Sequence, residues 1–173
     1  MKLICSSLLL LSCVCVANAQ VPTPKKSAFQ ASMKRFQKQG IEIRKVLNGI
    51  SVQDLQVNYA WGKQIDQYKD LATSQLDLLS KSVANPSIEN DLDEEIFLLE
   101  EAQELSGAMT QLSGFLSNPS ITHDTTIDGK ANTWARSVTA SNTQLSDFYA
   151  DAFHYVIGHA RDVQASNCGA KSN

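Results

Sequence analysis

The residues best suited to chemistry in this chain are an Asp151-x-x-His154 pair, the acids Glu100, Glu101 and Glu104 on a different predicted helix, and two further histidines, His123 and His159. A carboxylate and an imidazole at i and i+3 share one helix face, the spacing by which di-iron bundles hold metal from within. Such a centre takes two of these motifs and two further glutamates, and one Asp-x-x-His does not meet that ligand count. The sequence therefore predicts no metal and no cofactor, with His154 a surface imidazole beside a carboxylate. His159, near the end of the last helix, could titrate near neutral pH or cap the bundle end against the helix dipole. His123 falls in a polar loop without a companion. Glycine-rich phosphate loops, GxSxG, HExxH, paired CxxC and an EF-hand loop are all missing, and no local signature joins a serine, a histidine and an acid. The expectation is a non-enzymatic protein with no catalytic residues.

The aromatic residues carry more information. Trp61, Tyr68, Trp134, Phe148, Tyr149, Phe153 and Tyr155 recur at helical spacing, which makes them core bulk first. A second reading places an apolar ligand between helices, since bundles build their binding sites from facing core positions. A third opens the bundle onto a lipid or other apolar surface, with a basic first helix near anionic headgroups. Trp134, Phe148, Tyr149, Phe153 and Tyr155, together with Lys34, Arg35 and Lys38, are the candidate ligand or partner surface.

Positioning these residues falls to long helices. Ile127, Ala131, Trp134, Val138, Ser141, Leu145, Phe148, Ala152, Tyr155 and His159 follow one another at alternating steps of four and three, a single seam along a helix. Phe29, Met33, Phe36, Gly40, Ile43, Leu47 and Ile50 repeat the pattern. The prediction is an all-α antiparallel bundle of four long helices. The first runs from Ser27 to Asn48, stopped by Asn48-Gly49, where glycine can take the left-handed conformation. Gly40, on its seam, allows a close helix approach or marks a bend. The second starts at Ser51 with a capping arrangement to Asp54, carries Leu55, Gly62, Ile65, Tyr68, Ala72, Leu76, Leu79 and Val83, widened by Trp61, Leu71 and Leu78, and stops at Asn85-Pro86. The third opens at a Ser87 cap, with Ile88, Leu92, Ile96, Leu99, Ala102, Leu105, Met109, Leu112 and Leu116 inward, and ends at Asn118-Pro119. The fourth, from Thr125 to about Gln164, spans roughly 60 Å. Its polar cluster Thr139 to Thr143 has poor helix propensity and predicts a kink or a split in two.

Charge is unevenly placed. The chain has 15 basic and 18 acidic residues, and the net negative balance argues against nucleic-acid binding. From Gln20 to Ile50 there are seven basic residues and one acid, and from Asn85 to Asp128 ten acids and no base. These helices either complement each other across the bundle surface or offer a docking face to a charged partner.

Residues 1–19 have the basic, apolar and small-residue parts of a secretory signal, with cleavage after Ala19, so the product is expected to be secreted and extracellular. Residues 20–26, with Pro22 and Pro24, read as an extended leader, 27–165 as the bundle domain and 166–173 as a flexible tail. No second apolar run is long enough for a transmembrane segment. Cys5, Cys13 and Cys15 leave with the signal, so the domain must stand on its apolar core without an internal disulfide. Cys168 remains as a tail thiol or a route to a dimer.

The signal, the single cysteine-poor helical domain, the Ser/Thr/Asn/Gln-rich helix surfaces and segments such as Leu105 to Leu116 resemble the fungal hydrophobic surface-binding and cell-wall galactomannoprotein family. Ile43 to Trp61 and Leu112 to Thr122 resemble nematode secreted antigens of the SXP type. The fungal resemblance implies binding of apolar surfaces or lipids. The function expected from the sequence is recognition of an extracellular or host protein partner, as an effector or antigen would perform it, with binding of lipid or another apolar ligand as the alternative.

Overall fold

The computed structural model describes residues 26–55, 59–118 and 125–169, with backbone alone at 125–128 and 168–169. The signal segment, the leader up to residue 25, His123, the side chains of Ile127 and Cys168 and the last four residues of the expected tail lie outside the described residues. Four α-helices make the architecture: α1 (Lys26–Gly49), α2 (Tyr59–Ala84), α3 (Leu92–Leu116) and α4 (Thr125–Gly169). Lys26, expected in the leader, already belongs to α1, and α4 extends four residues into the expected tail.

Ring contacts and ion pairs fix the directions. Phe29 stacks on Tyr155 with ring centroids 4.2 Å apart, and Phe36 meets Phe148 at 4.6 Å, so α1 and α4 run antiparallel. Phe115 of α3 packs between Trp61 (4.9 Å) and Tyr68 (5.4 Å) of α2, also antiparallel to it. Arg44 pairs with Asp77 and the Lys69 ammonium donates to the Ile50 carbonyl (2.9 Å), tying α1 to α2 in the same sense. Each of α1 and α3 packs against α2 and α4, which leaves α1 and α3 on a diagonal. The two predicted seams face inward: Phe29, Phe36, Ile43 and Leu47 on α1, and Val138, Leu145, Phe148 and Ala152 on α4, are buried.

The helix ends depart from expectation where polar side chains compete for backbone amides. Ser51 does not open α2; residues Val52–Leu55 form a 3₁₀ turn in which the Asp54 amide donates to the Ser51 carbonyl at 3.2 Å. Ser87 does not cap α3, because its amide and hydroxyl are both taken by the Asn85 side chain (3.1 and 2.8 Å). A 3₁₀ turn, Ile88–Asn90, follows, and Asp91 is the cap, its carboxylate accepting from the amides of Asp93 (3.0 Å) and Glu94 (3.4 Å). At Asn48-Gly49 no left-handed residue is used: Gly49 is the last residue of α1, and the Ile50 amide turns back to the Leu47 carbonyl at 3.2 Å.

The split expected as one form of the break in the last helix is absent, and α4 is one α-helix of 45 residues. Its hydroxyl groups return to carbonyls four residues back, as Ser137 does to Thr133 (3.0 Å) and Thr143 to Thr139 (3.1 Å), bonds that bend a helix without ending it. Others dock on α3. The polar cluster is a contact surface rather than a split.

Gly40 is buried on the α1 seam, yet a methyl group there would meet Leu76 and Ser80 at 3.7 Å, ordinary van der Waals distance. Close approach does not require the glycine. Gly40→Ala is therefore expected to raise stability by up to about 1 kcal/mol through helix propensity, seen as a higher midpoint in thermal unfolding monitored by circular dichroism; a lowered midpoint would mean that the space cannot accept a methyl.

Candidate functional site

Most of the polar chemistry inside the bundle gathers along the seam between α3 and α4. The steps 95, 98, 102, 105, 109, 112 and 116 alternate three and four, and every residue on them is buried, beginning with Glu95. The apolar stripe expected through Leu92, Ile96 and Leu99 is only half-buried. Those leucines and isoleucine lie to one side of the true seam, and two acids, Glu95 and Glu101, take inward positions. On α4 the same stepping ends at His159.

These two seam ends meet. His159 Nδ1 lies 2.9 Å from both carboxylate oxygens of Glu95, whose side chain has no exposed surface. Tyr155 packs above, its ring 6.1 Å from His159 and its hydroxyl donating to the Glu89 carbonyl at 3.2 Å. Gln30 donates to Glu89 at 2.6 Å and Lys26 lies 3.4 Å from it, so α1, the α2–α3 connection, α3 and α4 are joined at one end of the bundle. Burial pushes the Glu95 carboxyl above its ordinary value, against the opposing hydrogen bond and charge of His159. Burial likewise raises the Tyr155 phenol, helped by the nearby Glu95 and Glu89 charges.

Further along the seam the contacts are neutral. Asn142 donates to the Thr110 hydroxyl (3.0 Å), and the Ser113 hydroxyl lies 2.8 Å from that of Thr139 and donates to the Ala135 carbonyl at 3.2 Å. Between them and the bundle end a groove of about 430 Å³ opens to solvent, with Gln103, Ser106, Thr110 and Ser146 among its walls and Tyr149 at its margin. Phe153, 41% exposed, stacks on Tyr149 at 6.0 Å and carries the aromatic margin outward. Comparison with known families, curated proteins and solved structures finds no match for this chain. Its chemistry must be read from the geometry itself.

The expected surface residues divide. Tyr149 lines the groove and Phe153 stacks on Tyr149, whereas Phe148 and Tyr155 are core residues, the first tilted against Phe36 and the second stacked on Phe29. Phe148 also lines an open groove of about 500 Å³ between α1 and α4. Trp134 is half-buried near the other end of the bundle, with the Lys130 ammonium 6.0 Å from its ring. Arg35 is held by Asp151 of α4, while Lys34 and Lys38 face solvent. Asp151 pairs with Arg35 and His154 is exposed; among the described residues no three His, Cys, Asp or Glu side chains are grouped to hold a metal ion. Among them, too, no helix is long and apolar enough to cross a membrane.

Glu101, 4% exposed, has a carboxylate oxygen without a hydrogen-bond partner, and burial raises its carboxyl above the ordinary 4.5 against a bond from Ser82. A carboxyl raised on folding lends stability that is whole below 4.5 and is lost as pH rises through the raised value. Glu101→Gln should therefore gain stability over the parent as pH rises, by on the order of 1 kcal/mol at pH 7.5 and little at pH 4.5, in urea unfolding; a gain that does not change with pH would contradict the assignment. At the other acid, His159→Ala should cost about 2 kcal/mol at pH 7.5, because it strands a buried carboxylate, and clearly less in a Glu95→Gln background. Equal costs in both backgrounds would show that the two side chains are not coupled.

Proposed function

We propose that this chain is a secreted, non-enzymatic recognition protein that docks an extracellular or host protein on its α3–α4 face. The observation that carries the reading is the stacked Tyr149–Phe153 pair standing half out of the surface beside the open groove. Aromatic anchors next to satisfiable polar groups are how protein interfaces concentrate their energy. Here the polar groups are amides and hydroxyls, so the partner segment presents an apolar side chain to the Tyr149 margin and neutral hydrogen-bonding groups to Gln103, Ser106, Thr110 and Ser146. The scaffold beneath is rigid, because Asn142, Thr139 and the Glu95–His159 pair pin α4 to α3 on both sides of the groove. Rigidity lowers the entropic cost of docking.

A photo-cross-linking residue at Phe153 should capture a defined extracellular protein, and one at exposed Gln67 of α2 should not. With that captured protein purified, the double substitution Tyr149→Ala and Phe153→Ala should weaken binding by roughly 30-fold or more, about 2 kcal/mol. Unchanged affinity would remove this face from recognition. Uptake of a fluorescent fatty acid that depends on Phe153, without protein capture, would replace the reading with apolar-ligand binding.

A further inference from the structure

The outer faces of α1 and α3 carry matching patterns that no side chain among the described residues of the same chain pairs with. On α1, opposite the buried seam, Lys34, Lys38, Ile41 and Lys45 follow at steps of four, three and four and are all exposed, Ile41 to 67%. On α3, Asp93, Phe97, Glu100 and Glu104 follow at the same steps and are also exposed, Phe97 to 49%. Each set forms one straight stripe on its helix, about 16 Å long. The basic residues of α1 that do pair within the chain are others: Arg35 with Asp151, Arg44 with Asp77, and Lys26 with Glu89. The acids that turn inward on α3 are likewise others, Glu95 and Glu101. The complementarity across one bundle, one of the two expectations from the charge distribution, is met at one end by Lys26 and Glu89 but not along these stripes, because α1 and α3 sit on a diagonal.

We infer that the α1 stripe of one copy docks antiparallel on the α3 stripe of a second copy. In that direction Lys34 meets Glu104, Lys38 meets Glu100, Ile41 meets Phe97 and Lys45 meets Asp93, three opposite-charge pairs around one apolar contact. One turn further, exposed Ala31 comes over Gly107, which has open space above it. The parallel direction sets Lys38 on Phe97 and Ile41 on Glu100 and loses the match. Because the two stripes face opposite ways on the molecule, docking does not close into a two-fold dimer; each copy uses both faces and the contact propagates head to tail. Exposed ion pairs are individually weak and screened by salt, so the association is reversible and belongs to high local concentration. The charged stripe lies outside the α3–α4 groove and borders it at Gly107, and the inference does not depend on the reading of that groove.

Sedimentation of the full secreted chain with Cys168→Ser, which removes any thiol bridge, tests it. At low salt the average mass should rise with concentration beyond two chains, and it should return to one chain in about 0.5 M salt, where the screening length is a few ångströms. The triple variant Lys34→Glu, Lys38→Glu, Lys45→Glu and the triple variant Asp93→Lys, Glu100→Lys, Glu104→Lys should each stay at one chain, with the helical circular dichroism of the parent. Mixed in equal amounts, the two should associate again, since each reversed stripe finds a complementary one on the other variant. A parent that remains monomeric at low salt overturns the inference, including the case in which it binds anionic vesicles instead. So does association that survives in either variant alone, or a mixture that stays monomeric.

Discussion

Four antiparallel helices in sequence order leave the first and third on a diagonal, and most features of this molecule follow from that constraint. α2 and α4 become the mediators: α4 holds α1 through Phe29–Tyr155 and Phe36–Phe148 and holds α3 through hydroxyl and amide contacts. The interlocking of these seams is what selects the register. The basic charge of α1 meets the acidic segment only where Lys26 pairs with Glu89 among the described residues, and along the rest of α1 and α3 it must be met by α2 or α4 or face solvent.

The two α4 interfaces are built differently. Against α1 the contact is aromatic at its centre, where Phe148 and Tyr155 are buried, with the Arg35–Asp151 ion pair beside it. Against α3 it is polar, beginning with a buried carboxylate–imidazole pair and continuing through neutral hydrogen bonds around an open groove. Buried polar pairs are poor sources of net stability, since desolvation offsets most of the attraction, but they penalise every register in which a partner is missing. Glu95 opposite His159 fits that use: sliding α4 by one turn would strand a carboxylate in the core.

The fold was legible because apolar residues at steps of three and four mark α1, α2 and α4 with little ambiguity; Phe36, Ile43, Leu76 and Leu145 all fall where the periodicity puts them. α3 was harder. Its leucines and isoleucine surround a wide arc, and a reading that counts only apolar residues selects Leu92, Ile96 and Leu99. The strict stepping back from Leu116 through Leu112, Met109, Leu105, Ala102 and Leu98 lands on Glu95, a signal present in the sequence but masked by the rule that acids face water. The same stepping had already placed His159 on the α4 seam, so the pair was within reach. The expected split at Thr139 to Thr143 misjudged hydroxyl residues whose partners sit on α3, information that propensity does not contain. Which aromatics remain at the surface was within reach as well, because Phe148 and Tyr155 fall on the α4 seam and are buried, whereas Phe153 falls off it and is exposed.

The diagonal arrangement and its two outer stripes are tested most directly by cross-linking between copies, in a Cys168→Ser background, of one chain carrying Ile41→Cys and another carrying Phe97→Cys. The arrangement predicts that mild oxidation joins the two variants when mixed at low salt, and that neither joins to itself at a comparable rate. Self-linking of either variant as fast as the mixed product, or no mixed product at all, would contradict it.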